Sequence, residues 1–179
     1  MSFIYKKRAD FYANRVLPFI KENEKVLDIG AGNGVIAKVI NKKADVTLVD
    51  VIDYNQTDLT LIIYNGKTLP FPDNHFDTSL LVAVLHHTEY PEELLKEAKR
   101  VSKRLIIVEE VYTTRFGKLF LSLWDWFFNI ATKAPLYFNF HSKKEWNQIF
   151  NRLGLTMVDN CDFRNALLTL KMNMYILVK

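Results

Sequence analysis

The chain has 179 residues, 49% of them hydrophobic, and a formal net charge of +4. That length and apolar content fit one domain, residues 1–179, with an ample core, which excludes disorder as the default. The scattered lysines and arginines lack the continuous stripe of a nucleic-acid binder, and the single Cys161 excludes an internal disulfide and a cysteine-rich metal site.

The N-terminus lacks the apolar core of a signal peptide, and no run of about 20 apolar residues forms a spanning helix. A cytoplasmic location is therefore expected. Residues 4–21 read as a helix with Phe11, Leu17 and Ile20 inward. A strand over 25–30 precedes a helix at about 33–42, and strands follow over 45–50 and 60–64. Only about nine residues separate Asp50 from that last strand, too few for a full crossover helix. A loop or single helical turn is expected over residues 51–57. A strand over 76–83 leads to an amphipathic helix at 91–102 with Pro91 near its start, then a strand over 104–109. Helices are predicted over 116–132 and 142–153, the second opened by Ser142 and Glu145 as a capping box. Strands over 155–162 and 170–178 close the chain. Alternating strands and helices predict a doubly wound parallel α/β sheet, which binds ligands beyond the carboxyl ends of its strands. The last two strands share a connection too short for a parallel crossover, so one of them runs antiparallel.

The run Val26-Leu27-Asp28-Ile29-Gly30-Ala31-Gly32-Asn33-Gly34 is an apolar strand ending in three alternating glycines. Glycines at a strand-to-helix turn let a ligand approach the backbone and leave amides at the helix start to face it. Asp50 ends the next strand twenty residues after Gly30, a spacing at which a carboxylate accepts hydrogen bonds from ribose hydroxyls. Val35 stands where a dinucleotide fingerprint wants glycine or alanine, and no Gly-Lys-Ser/Thr of a P-loop follows. Asp28 suits an ammonium group better than a pyrophosphate.

On these residues the chain resembles the class I S-adenosylmethionine-dependent methyltransferases. The resemblance implies a Rossmann-like sheet of order 3-2-1-4-5-7-6 with strand 7 antiparallel. It implies that Asp28, Gly30, Ala31 and Gly32 hold the methionine end of S-adenosylmethionine, and that Asp50, with Val51, holds the ribose. Asn65-Gly66-Lys67-Thr68-Leu69-Pro70-Phe71 and Asp73 to Asp77, followed by Ser79 to His87, resemble the type-11 methyltransferase branch. There the first position is usually aspartate and holds the adenine amino group. Asn65 keeps an acceptor without the charge. The Gly66 amide would meet an adenine ring nitrogen, and Val82 would line the pocket.

His86 and His87 are adjacent, so they are not expected to face the same way, and no metal is expected. In resembling enzymes one such histidine lies beside the methyl donor. His87 is the candidate catalytic base, and capping or packing is the plain alternative. Glu109 and Glu110 end a strand as paired carboxylates. They either bind a polar acceptor, metal or water, or one of them faces solvent while the other holds a loop amide. Residues 116–132 carry only Lys118 and Asp125 as charges, within an aromatic insertion at about 112–141. A lid over the acceptor pocket, a homodimer or partner contact, and a peripheral membrane contact all stay open, with the lid favoured. His86, Glu110 and Trp124 are the expected acceptor-pocket residues. The implied activity is methyl transfer to a small-molecule or lipid-like acceptor, leaving S-adenosylhomocysteine. The alternative is a cofactor-binding regulatory protein or pseudoenzyme without transferase activity.

Overall fold

The computed structural model describes residues 3–129, 136–164 and 170–179. Its strands are β1 Lys25–Ile29, β2 Asp45–Asp50, β3 Leu61–Ile63, β4 Phe76–Val82, β5 Ser102–Tyr112, β6 His141–Ser142, β7 Thr156–Arg164 and β8 Lys171–Val178. The α-helices are α1 Phe3–Val16, α2 Val35–Ile40, α3 Pro91–Val101, α4 Arg115–Asn129 and α5 Lys143–Arg152. The sheet order is β3-β2-β1-β4-β5-β8-β7, with β6 paired to the far end of β5. Without the two-residue β6 this is the expected 3-2-1-4-5-7-6 order, and the reversed strand is β8, antiparallel to both neighbours.

The central strands are buried on both faces, which is why they read as continuous apolar runs. Along β5, Leu105 and Ile107 pack with α3 and α5 on one side. Ile106 and Val108 pack with Tyr12, Ala13 and Val16 of α1 and Ala37 and Ile40 of α2 on the other. Strand β7 is an edge strand with an almost wholly exposed surface, and its polar run Asp159-Asn160-Cys161-Asp162 discourages further pairing.

One local difference from the sequence expectation matters for the site. Strand β5 continues past Glu109 to Tyr112, because Val111 and Tyr112 pair with His141 and Ser142. Residues 130–132 of the predicted fourth helix lie outside the described residues. The β2–β3 connection has no helix, as its length required. Asn55 organises it instead, accepting from the Thr57 amide at 2.9 Å and donating to the Leu59 carbonyl at 2.6 Å.

At the amino edge of the sheet, buried Glu24 accepts from the Arg104 guanidinium at 2.6 Å, from the Lys21 amide at 2.6 Å and from the Thr78 hydroxyl.

Candidate functional site

The opposite, carboxyl edge holds a cavity of about 630 Å³. Its floor is the turn after β1. At Gly30 (φ +69°) a Cβ would lie 2.7 Å from both Val84 methyl groups, so only glycine fits there. At Gly32 (φ +54°) a Cβ would meet nothing within 4 Å. That open space belongs to the cavity, which Gly30, Gly32, Asp50, Val51, Asn65, Gly66 and His87 all line.

The amides of this turn are not left free, as the sequence suggested. Those of Gly30 and Ala31 donate to the Val49 carbonyl. The Gly32 amide donates to Asp50 Oδ2 at 2.8 Å, and the Val51 amide to Asp50 Oδ1 at 2.7 Å. Asp50 thus ties β2 to the glycine turn and still faces the cavity. Ala31 and Val82 pack toward α1 and α2 and do not line it, and Ala83 and Val84 take the place expected for Val82. Ala83 adopts φ +55°, an uncommon conformation for a residue with a side chain. Asn65 lines the cavity and closes its own turn. Its Oδ1 accepts from the Lys67 and Thr68 amides at 2.9 Å each, so that oxygen is engaged and the amide nitrogen remains as donor.

Asp28 lies behind the turn, 3% exposed, and is not on the cavity lining. Burial, and secondly the Asp50 charge, push its pKa up to about 7. Among the described residues no cation offsets those two causes. Two neighbouring carboxylates beside an open glycine turn suit a ligand that brings both a positive charge and hydroxyl groups. That donor set fits S-adenosylmethionine.

A second cluster adjoins the cavity wall. Glu109 Oε1 accepts from the Val84 and Leu85 amides at 2.9 and 2.7 Å, and its Oε2 lies 2.6 Å from His86 Nδ1. Glu109 therefore holds the short 3₁₀ turn Leu85–His87, the loop-amide role among its two readings. Glu110 Oε2 is 3.5 Å from the same His86 nitrogen. Burial alone would lower the His86 pKa. The charges of Glu109 and Glu110, the hydrogen bond to Glu109 and the Asp125 charge outweigh it and raise the pKa to about 9. Burial raises that of Glu110, against the opposing charge of His86.

His86 and Glu110 are thus buried behind the wall and do not line the cavity, whereas His87 does. The two histidines face different ways, as expected of neighbours in the chain, yet their ring centroids lie 4.1 Å apart. The 3₁₀ turn stacks His86 on Phe140 and brings His87 Nε2 within 3.7 Å of Asp125 Oδ1 on α4. His86, His87 and Asp125 each place a ligand atom within 4.8 Å of the others, as do His86, Glu109 and Glu110. These are donor sets for a cation that the sequence spacing does not reveal.

Trp124 is half-buried, stacks on Phe120 at 5.7 Å and is not on the cavity lining. Phe116, Leu119, Phe120, Leu123, Trp126 and Phe127 are exposed, so α4 does not close over the cavity as the expected lid. Three tyrosines that sequence reasoning missed line it, Tyr54, Tyr64 and Tyr90, together with Tyr137 of the aromatic insertion. They come from separate loops and share no spacing that would have marked them. Asp53, three residues past Asp50, accepts from the Asn55 amide at 3.0 Å.

A methyltransferase-domain family model matches residues 4–160. An uncharacterized protein of Methanocaldococcus jannaschii is 39% identical over 135 residues, covering 72% of this chain and 62% of that protein. The demethylmenaquinone methyltransferase of Tropheryma whipplei is 28% identical over 168 residues, covering 82% of this chain and 69% of the relative. The chain thus spans roughly two thirds of the length of these curated relatives. Among solved structures, the 1,6-didemethyltoxoflavin N1-methyltransferase of Burkholderia thailandensis, with that compound and S-adenosylhomocysteine bound, superposes with a TM-score of 0.73 at 15% identity. The match covers 97% of this chain and 79% of that one, and it shows a shared fold.

Proposed function

The chain belongs to the class I methyltransferase family, and on that premise we propose that it methylates a small-molecule or lipid-like acceptor at the carboxyl-edge cavity. We read residues 1–179 as one methyltransferase domain with an aromatic insertion at about 112–141. The observation that carries the reading is the pairing of open space at Gly32 with two acidic strand-end residues, Asp28 and Asp50. The family's methyl donor, S-adenosylmethionine, supplies an already activated methyl group. The work left to the protein is binding and alignment, which by itself lowers the barrier substantially.

Asp50 receives the ribose hydroxyls, sharing its oxygens with the Gly32 and Val51 amides. Asp28 ionises against the positive charge of the methionine end. The backbone of Gly30, Ala31 and Gly32 leaves room for that end. Gly66 presents its amide to an adenine ring nitrogen, and Asn65 Oδ1, already bonded to the Lys67 and Thr68 amides, also faces the adenine amino group. His87 faces the acceptor and receives its proton, with Asp125 behind it holding the ring. His86, Glu109 and Glu110 act through that turn as positioning residues, and Trp124 flanks the acceptor side. The apolar surface of α4 and the quinone-related name of the Tropheryma relative both favour an apolar acceptor.

The test is calorimetry followed by labelling. S-adenosylhomocysteine should bind and NAD should not. The labelled methyl group should then appear in a compound of a lipid or metabolite extract. Binding without any labelled product would instead favour a cofactor-binding protein lacking transferase activity. NAD binding tighter than either S-adenosyl compound would overturn the assignment.

A further inference from the structure

We propose that α4 and a basic cavity at its start form a docking surface for an anionic lipid bilayer, an inference that rests on the lipid-like acceptor reading. On α4 the residues Phe116, Leu119, Phe120, Leu123, Trp126 and Phe127 recur at helical spacing along one face. Each is 47–85% exposed. The opposite side buries Leu121 and Asp125. A contiguous aromatic face of this kind is an association surface, and its Trp, Phe and Leu content is that of helices lying in a membrane interface.

Charge decides the occupant. A second cavity, of about 600 Å³, opens at the carboxyl end of β5. Lys143, Lys144, Arg164 and Lys171 line it against one carboxylate, Asp162, which is ion-paired with Lys143. Tyr112 and Thr113 of the same lining lead directly into α4. The Lys118 ammonium lies 5.5 Å from the Tyr112 ring centroid, and Arg115 is exposed beside it. Cations clustered at one end of an exposed apolar helix match phosphate headgroups above acyl chains.

The placement serves the site already described. The basic cavity and the cofactor cavity share the carboxyl edge of the sheet. Helix α4 begins at the first, and its Asp125 lies 3.7 Å from His87 at the second. A bilayer seated on the exposed face of α4 would lie about one helix diameter from Asp125 and His87, within reach of a lipid-borne acceptor that extends past the helix. Among the described residues no helix is long and apolar enough to cross a membrane, so the association would be at its surface.

Co-sedimentation of the full chain with vesicles tests this. Vesicles of phosphatidylglycerol and phosphatidylcholine in equal parts should bind it at least about tenfold more tightly than pure phosphatidylcholine, and added salt should weaken the binding. Lys144→Glu with Lys171→Glu, and separately Leu119→Ser with Leu123→Ser, should each lower partitioning at least about tenfold. Affinity for S-adenosylhomocysteine should stay unchanged in both, since none of these residues lines the cofactor cavity. Brominated lipid should quench tryptophan fluorescence of the unaltered protein, a readout that needs no variant to fold. Equal binding to both vesicle types, or none, overturns the proposal. So does a doubled mass by light scattering that Leu119→Ser with Leu123→Ser halves, which would make the face a contact between copies. If the unaltered protein binds vesicles but not S-adenosylhomocysteine, the methyltransferase reading fails and the docking surface stands.

Discussion

The two edges of the sheet treat buried charge in opposite ways. At the amino edge, Glu24 is enclosed by the Arg104 guanidinium, the Thr78 hydroxyl and the Lys21 amide, so its charge is neutralised and its oxygens are bonded. At the carboxyl edge, Asp28 sits beside Asp50 with no offsetting cation among the described residues, and Glu109 and Glu110 crowd one imidazole. The first arrangement is complete in itself and serves stability. The second holds charge in a state that a ligand would improve, which is the usual condition of a functional site.

Removing a carboxylate should therefore have opposite signs at the two edges. Glu24→Ala leaves the Arg104 guanidinium and the Thr78 hydroxyl without their acceptor. It should cost about 3 kcal/mol in urea denaturation, the low end of the range for broken buried pairs because Arg104 keeps some exposure. Cofactor affinity of the folded protein should not change. A cost below about 1 kcal/mol would erase the contrast.

Asp28→Asn should do the reverse. The folded-state pKa of about 7 lies above the ordinary value of 3.8, so the native protein holds the proton more tightly than the unfolded chain does. The stability from that proton is fully present below about pH 4 and is lost as pH rises through 7. Ligand-free protein should lose stability over that window, and Asp28→Asn should largely flatten the loss. At pH 8 the variant should be more stable by about 2 kcal/mol, roughly half of what 1.36 kcal/mol per pKa unit allows. Its affinity for S-adenosylhomocysteine should fall at least about tenfold. Equal stability of the two proteins at pH 4 and pH 8 would remove the charge argument.

Asp50→Ala sharpens the comparison within the carboxyl edge. Losing hydrogen bonds to a charged acceptor should weaken S-adenosylhomocysteine binding by roughly 1.5–3 kcal/mol, measured by calorimetry with the fold checked by circular dichroism. Unchanged affinity would detach the ribose from Asp50. The smallest effect is expected at Asn65. A carboxylate there can keep the Asx turn and offer a second acceptor, so Asn65→Asp should alter affinity by no more than about 1 kcal/mol. A larger loss would show that the ligand needs the Asn65 amide as donor.

Much of the fold was legible because strands buried on both faces must be apolar runs, and helices between them must be amphipathic. Strand β5 was the exception. Glu109 and Glu110 look like a strand end in sequence, yet the backbone continues to Tyr112 because a distant segment, His141–Ser142, supplies the pairing. The glycine turn and Asp50 were legible for a different reason. Their geometry is local, set by backbone conformations within one β-turn-α unit and the strand after it.

Chain length and residue period by themselves determined a mostly parallel sheet, one antiparallel strand among the last two and the short β2–β3 connection, whereas the strand order and the choice of reversed strand rested on the family resemblance. The sequence also determined which residues could meet a nucleoside cofactor. Only the tertiary structure decided which of them face the cavity. Ala31 and Val82 turn toward the helical layer, Asn65 spends its oxygen on its own loop, and His86 disappears behind Glu109, 23 residues away in the chain. The tertiary structure likewise left the aromatic face of α4 exposed where a lid was expected. A hydrophobic pattern says that a surface avoids water, but it does not say what covers it, because that depends on which neighbours the fold brings near.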